Sequence, residues 1–105
     1  MEKPIGKTTI APTVLSTIAK LTTLAVSGVS RMATPVANPN VQDGVKVEIH
    51  DGLITLDLFI IISSKYNARL IAEQIQEHVK RQITEIVGME VAKINVHIED
   101  VDIEA

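Results

Sequence analysis

Gly6-Lys7-Thr8-Thr9 ends like a phosphate-binding loop, where a lysine reaches the phosphates and a hydroxyl meets their metal ion. Such a loop needs a glycine five residues before Gly6, and that position is Met1. No predicted strand leads into it, so the stretch reads as a polar entry into a helix or an edge strand. His50, His78 and His97 are the three histidines. His50 and His97 fall on one predicted face and would meet if their strands were neighbours. Two histidines without a nearby predicted carboxylate make a thin metal site, so no metal is expected. Glu99, Asp100, Asp102 and Glu104 crowd the acidic end. A calcium loop needs a glycine turn and spaced oxygens, and no glycine lies among them, so a solvated tail is expected. No nucleophile elbow supports a Ser-His-Asp order, and paired carboxylates would need a cleft that so small a domain hardly offers. The expectation is no enzyme, no catalytic residue and no cofactor.

The elements that carry these residues fit one domain. The chain has 105 residues, 46% hydrophobic and 22% charged, enough for a single modest core. It has no cysteine, which excludes disulfides, thiol catalysis and cysteine-bound zinc. No apolar run approaches the roughly 20 residues of a membrane span. The first residues, MEKPIGKTTIAP, lack the apolar core of a signal peptide. A cytoplasmic location is therefore expected, with flexible ends over 1–8 and 100–105. The net charge of −3 is uneven: residues 1–44 carry four basic against two acidic residues, and residues 45–105 six against eleven. With no basic patch, and Phe59 and Tyr66 as the only aromatics, a nucleic-acid partner is not expected.

Residues 44–62, GVKVEIHDGLITLDLFIII, read as a β-hairpin around Asp51-Gly52, a pair suited to the positive φ angles of a two-residue turn. The register follows by counting outward. Val45, Val47 and Ile49 face Leu58, Leu56 and Ile54 on one apolar side. Lys46, Glu48 and His50 face Asp57, Thr55 and Leu53 on a wet side, with Lys46 and Asp57 as an expected ion pair. Phe59 and Ile61 continue the wet side. With Leu53 they form the candidate interaction surface, because clustered exposed apolar residues mark such surfaces. The alternative is that the turn-rich loop 33–43 covers them.

Before the hairpin, Pro12 suits the first turn of a helix. Val14, Leu15, Ile18, Leu21, Leu24 and Ala25 follow at helical spacing, and Gly28 is a stop. Lys20 is this helix's only charge. Its small, neutral surface suits close packing, and the expectation is a helix largely covered by its own domain. A second helix is predicted over 68–87, with Ile71, Ile75, Val79, Ile83 and Ile86 as its apolar stripe. Residues 91–98 alternate as a strand, with Ile94, Val96 and Ile98 inward. The order is α-β-β-α-β. It predicts an α+β two-layer sandwich, a three-stranded sheet with both helices on one face. Val47, Ile49, Leu56, Leu58, Ile75, Val79 and Val96 should share one core.

In this order the stretches IAPTVLSTIAKLTTLAVSGVSRM, GVKVEIHDGLITLDLFIIISSKYNARLIAEQIQEHVKRQI and GMEVAKINVHIEDV resemble the alkaline shock protein family of Gram-positive envelope stress response proteins. The likeness runs from Thr9 to Ile103. It departs at Asn67, where the family usually has glycine, and in the short loop after Arg31. Asparagine suits a left-handed residue or a helix cap. The resemblance implies a non-enzymatic cytoplasmic protein, a homo-oligomer that docks at the inner face of the membrane through a membrane-anchored partner. The alternative from topology alone is a small nucleic-acid-binding adaptor of KH-like topology. It lacks the GXXG loop and the basic stripe.

Overall fold

Apolar alternation in one long central strand organises the chain. The computed structural model describes residues 6, 9–35 and 40–104. The elements are α1 (Pro12–Leu24), β1 (Val29–Met32), β2 (Val45–His50), β3 (Leu53–Ser63), α2 (Ala68–Val87) and β4 (Glu90–Asp102). Along β3, Ile54, Leu56, Leu58, Ile60 and Ile62 are all buried, while the residues between them are not. That period of two gives the sheet one core face. Leu15 and Ala19 of α1 and Ile71, Ile75, Val79 and Ile83 of α2 join the same cluster. Both helices therefore lie on one face of the sheet, in the two-layer α+β arrangement expected.

The hairpin register is the one counted from the sequence, from Val45 opposite Leu58 to His50 opposite Leu53. Asp51 and Gly52 have φ of 50° and 78°. β4 runs parallel to β3 along its other edge, joined through α2 as a β-α-β unit. Asn67, at the point of departure from the family pattern, caps α2: its Oδ1 accepts from the Leu70 N–H at 3.2 Å. Gly88 closes α2 in the left-handed conformation.

Four expectations need correction. The sheet has a fourth strand, β1, antiparallel to β3 beyond the end of β2. β1 and β2 share one edge of β3 and meet at Phe59, whose N–H bonds Gly44 and whose carbonyl accepts from Ala33. The sheet is thus three strands wide. Part of the expected 33–43 loop is a second tight turn: Gln42 and Val45 bond each other across Asp43-Gly44, whose φ values of 51° and 79° repeat those of Asp51-Gly52. Residues 100–102, expected in a loose end, are the last of β4. Finally, Ile49, Ile86 and Ile98 are exposed rather than core, and Val47 and Val96 are half-buried. Ile98 lies on the sheet's edge strand, and Ile86 and Ile49 near element ends, where the opposite layer gives little cover. Lys7 and Thr8 of the loop-like tetrad lie outside the described residues.

Candidate interaction surface

Two surfaces stand apart from the core: the open face of the sheet and the outer side of α1. On the sheet, the register places Asp57 beside Asn95 and Phe59 beside His97. His97 Nε2 donates to Asp57 Oδ1 at 2.9 Å, and Asn95 Nδ2 donates to the same oxygen at 3.1 Å. The His97 ring stacks on Phe59, with centroids 4.5 Å apart and planes within 12°. The expected Lys46–Asp57 ion pair is replaced: the two residues are register partners, but Lys46 Nζ pairs with Glu48 at 2.9 Å. The hydrogen bond and charge of Glu48 hold the Lys46 ammonium above its usual range. His50 and His97 do not meet, because β3 lies between their strands and they pair with Leu53 and Phe59, six residues apart. Among the described residues no group of three metal-ligating side chains occurs.

Burial is the largest influence on the Asp57 carboxyl and pushes its pKa up. The hydrogen bonds from His97 and Asn95, with the charges of His97 and Lys46, together outweigh it and hold the carboxyl below its usual range. A depressed folded-state pKa stabilises the fold fully above the unfolded value of about 4, and that contribution is lost as pH falls through the lower folded value. Asp57→Asn should therefore be less stable than the wild type near neutral pH. The gap should begin to narrow as pH falls below about 4 and close once pH passes the lower folded-state value, where Asp57 is protonated in both states. Urea unfolding across that range measures it. A gap independent of pH would show that the Asp57 charge is not what the network stabilises.

Of the candidate residues, Leu53 is exposed while Phe59 and Ile61 are half-buried. Phe59 has one ring face covered by His97. Ile61 lies next to Arg31, which reaches over β3 to Asp102 at 2.8 Å. How far residues 36–39 cover this face lies outside the described residues.

The outer side of α1 is different. Leu15, Ala19 and Thr23 point into the core. At roughly 100° per residue, Val14, Thr17, Leu21 and Leu24 fall on the opposite side. Val14, Leu21 and Leu24 are 45%, 62% and 38% exposed. The expectation of a helix covered by its own domain is thus corrected: α1 is apolar both inward and outward. α2, in the same layer, has a solvated outer side with ion pairs Arg69–Glu73 and Glu77–Arg81. A groove of about 470 Å³ runs beside Leu21 and Ala25, with His78, Arg81 and Gln82 of α2 on its far wall. The sequence signal for this surface was the charge-poor helix itself. Periodicity did not separate inward from outward positions, because apolar residues occupy both.

Comparison with known proteins gives both fold and family. The MamM-CTD 215-293 structure matches with a TM-score of 0.61 at 14% identity, covering 86% of this chain and 99% of that one. A zinc form of the MamM CTD matches with a TM-score of 0.60 at 12% identity, covering 90% of this chain and 87% of that one. At such identities the likeness is one of fold. The uncharacterized protein YqhY of Bacillus subtilis is 28% identical over 102 residues, 90% of this chain and 76% of that protein. The model of the alkaline shock protein family, described by its cell envelope-related function, matches residues 1–103, and the chain belongs to that family.

Proposed function

We propose that this chain is a non-enzymatic, self-associating interaction module of the envelope stress response, working at the cytoplasmic side of the membrane beside a membrane-anchored protein partner. Membership of an envelope-related family supports the setting. No described helix is long and apolar enough to cross a membrane, and in this reading a membrane-anchored partner holds the chain there. The observation that carries the self-association is the outer side of α1. A surface helix normally turns charged residues outward, whereas this one turns out Val14, Leu21 and Leu24. Leaving such a stripe in water forgoes roughly 25 cal/mol for each Å² of apolar surface that a partner would cover. The sheet's open face offers Phe59 and Ile61, half-buried beside the Asp57 network, while Leu53 lies six residues from Phe59 along β3, roughly 20 Å away, and does not join them.

Sedimentation from micromolar to millimolar protein tests this. Mass should rise with concentration. The rise should persist between about 0.1 M and about 1 M salt, over which the Debye length falls from about 10 Å to about 3 Å. Apolar contact survives that change and a charge-driven one weakens. A monomer at every concentration would refute the proposal.

A further inference from the structure

The proposed self-association leaves open what the outer side of α1 meets on a second copy, and in which direction. We infer that the outer stripe of α1 docks against the same stripe of a second copy, with the two helices antiparallel. This rests on the self-association proposed above. Val14, Thr17, Leu21 and Leu24 are spaced three, four and three residues apart, the spacing of a helix–helix seam.

Charge selects the occupant. None of the four seam residues is ionisable, so a charged partner surface would lose solvation there without gaining a counter-charge. A lipid surface draws helices of this kind through flanking cations. Among the described residues, two cations beside the stripe are already matched: Lys20 pairs with Asp43 at 3.7 Å, and Arg81 with Glu77 at 3.3 Å. A second copy brings an equally neutral seam.

Charge also selects the direction. α1 has no side-chain N-cap bond, no acidic residue in its first turn and no basic residue in its last. Both ends of its dipole are therefore uncompensated by its own side chains. An antiparallel neighbour sets each N-terminus beside a C-terminus, whereas a parallel one sets like ends together. Side-chain size agrees. Folding the seam about its midpoint puts Val14 opposite Leu24 of the second copy, and Thr17 opposite Leu21. Each contact then joins a smaller side chain to a larger one.

The contact is modest. A 13-residue helix is about 20 Å long. One helix pair of that length falls short of the roughly 800 Å² per partner of a standard interface. The groove toward α2 widens it. A dissociation constant in the micromolar range or weaker is expected.

The chain contains no cysteine, so single-cysteine variants report proximity without background. A disulfide needs Cα atoms within about 7 Å. In the antiparallel arrangement two copies of residue 24 are separated by the rise of about ten residues, roughly 15 Å. Oxidising a mixture of Val14→Cys and Leu24→Cys proteins should give mostly the mixed covalent dimer, several-fold above either variant alone. Leu21→Glu, at a 62% exposed position, should keep the wild-type circular dichroism and urea midpoint while sedimenting as a monomer. If the wild type associates but each cysteine variant links to itself, or neither links, the antiparallel α1 contact is refuted and the proposed module stands. A Leu21→Glu protein that stays folded and oligomeric refutes it in the same way. A wild type that is monomeric throughout removes both, including when that monomer binds vesicles containing phosphatidylglycerol.

Discussion

Leu56→Ala should cost about 2–5 kcal/mol, the range measured for emptying fully buried leucine sites. Leu56 is wholly inaccessible to solvent. It sits in the middle strand, paired with Val47 on one side and Ile94 on the other, and belongs to the cluster that unites both helices with the sheet. Neighbours on both flanks and a helix layer above leave little room to collapse into the space of a lost isobutyl group. A domain of this size has about 5–15 kcal/mol in total, so the variant should unfold at a much lower urea concentration with an unchanged slope. Thr55→Ala, one residue away on the open face, should fall within about 0.5 kcal/mol of the wild type. Since a slip of one residue exchanges the two faces of a strand, a large loss at Thr55 with a small one at Leu56 would reverse the assignment of core and open sides.

That contrast depends on the part of the fold that was most legible. The β2–β3 register follows from two facts of local chemistry: a dipeptide that accepts positive φ, and alternation on either side of it. Neither depends on distant residues. α2 was equally legible, because one face is apolar, the other charged, and Asn67 and Gly88 mark its ends. β1 was not. It is four residues long and its pairing with β3 is irregular between Val29 and Arg31. Its place is set by the space left on the edge of β3 beyond β2, which no local pattern records. The Asp57 cluster was hidden for a related reason. Asn95 and His97 lie 38 and 40 residues from Asp57 and reach it only because β4 is the neighbour of β3. Without the strand order, Lys46 was the natural partner to choose. The outer stripe of α1 is a different case, since the amphipathic signal that orients a helix needs a polar side and α1 hardly has one.

The junction of β1 and β2 gives the second large effect. Gly44 and Gly52 have nearly the same backbone conformation, φ of 79° and 78°, each following an aspartate of positive φ. A side chain on either pays the strain of the left-handed region, about 1–3 kcal/mol. Their surroundings differ. A Cβ on Gly52 meets nothing within 4 Å, whereas one on Gly44 would lie 2.8 Å from the Ala33 carbonyl oxygen, 2.8 Å from Met32 Cβ and 2.9 Å from the Phe59 carbonyl oxygen. The two oxygens are main chain, and the Phe59 oxygen already accepts the Ala33 N–H at 2.8 Å. Relief would have to come from parting β1 from β3 or moving the Asp43-Gly44 turn. Overpacking of this kind adds about 1–3 kcal/mol. Gly44→Ala should therefore lose roughly 2–6 kcal/mol, against about 1–3 for Gly52→Ala. Because the conformational cost is common to both, the difference between the two urea midpoints isolates the packing of the junction. Equal losses would mean that β1 yields without cost. The end-to-end seam on the edge of β3 would then be a loose contact, not one on which the fold depends.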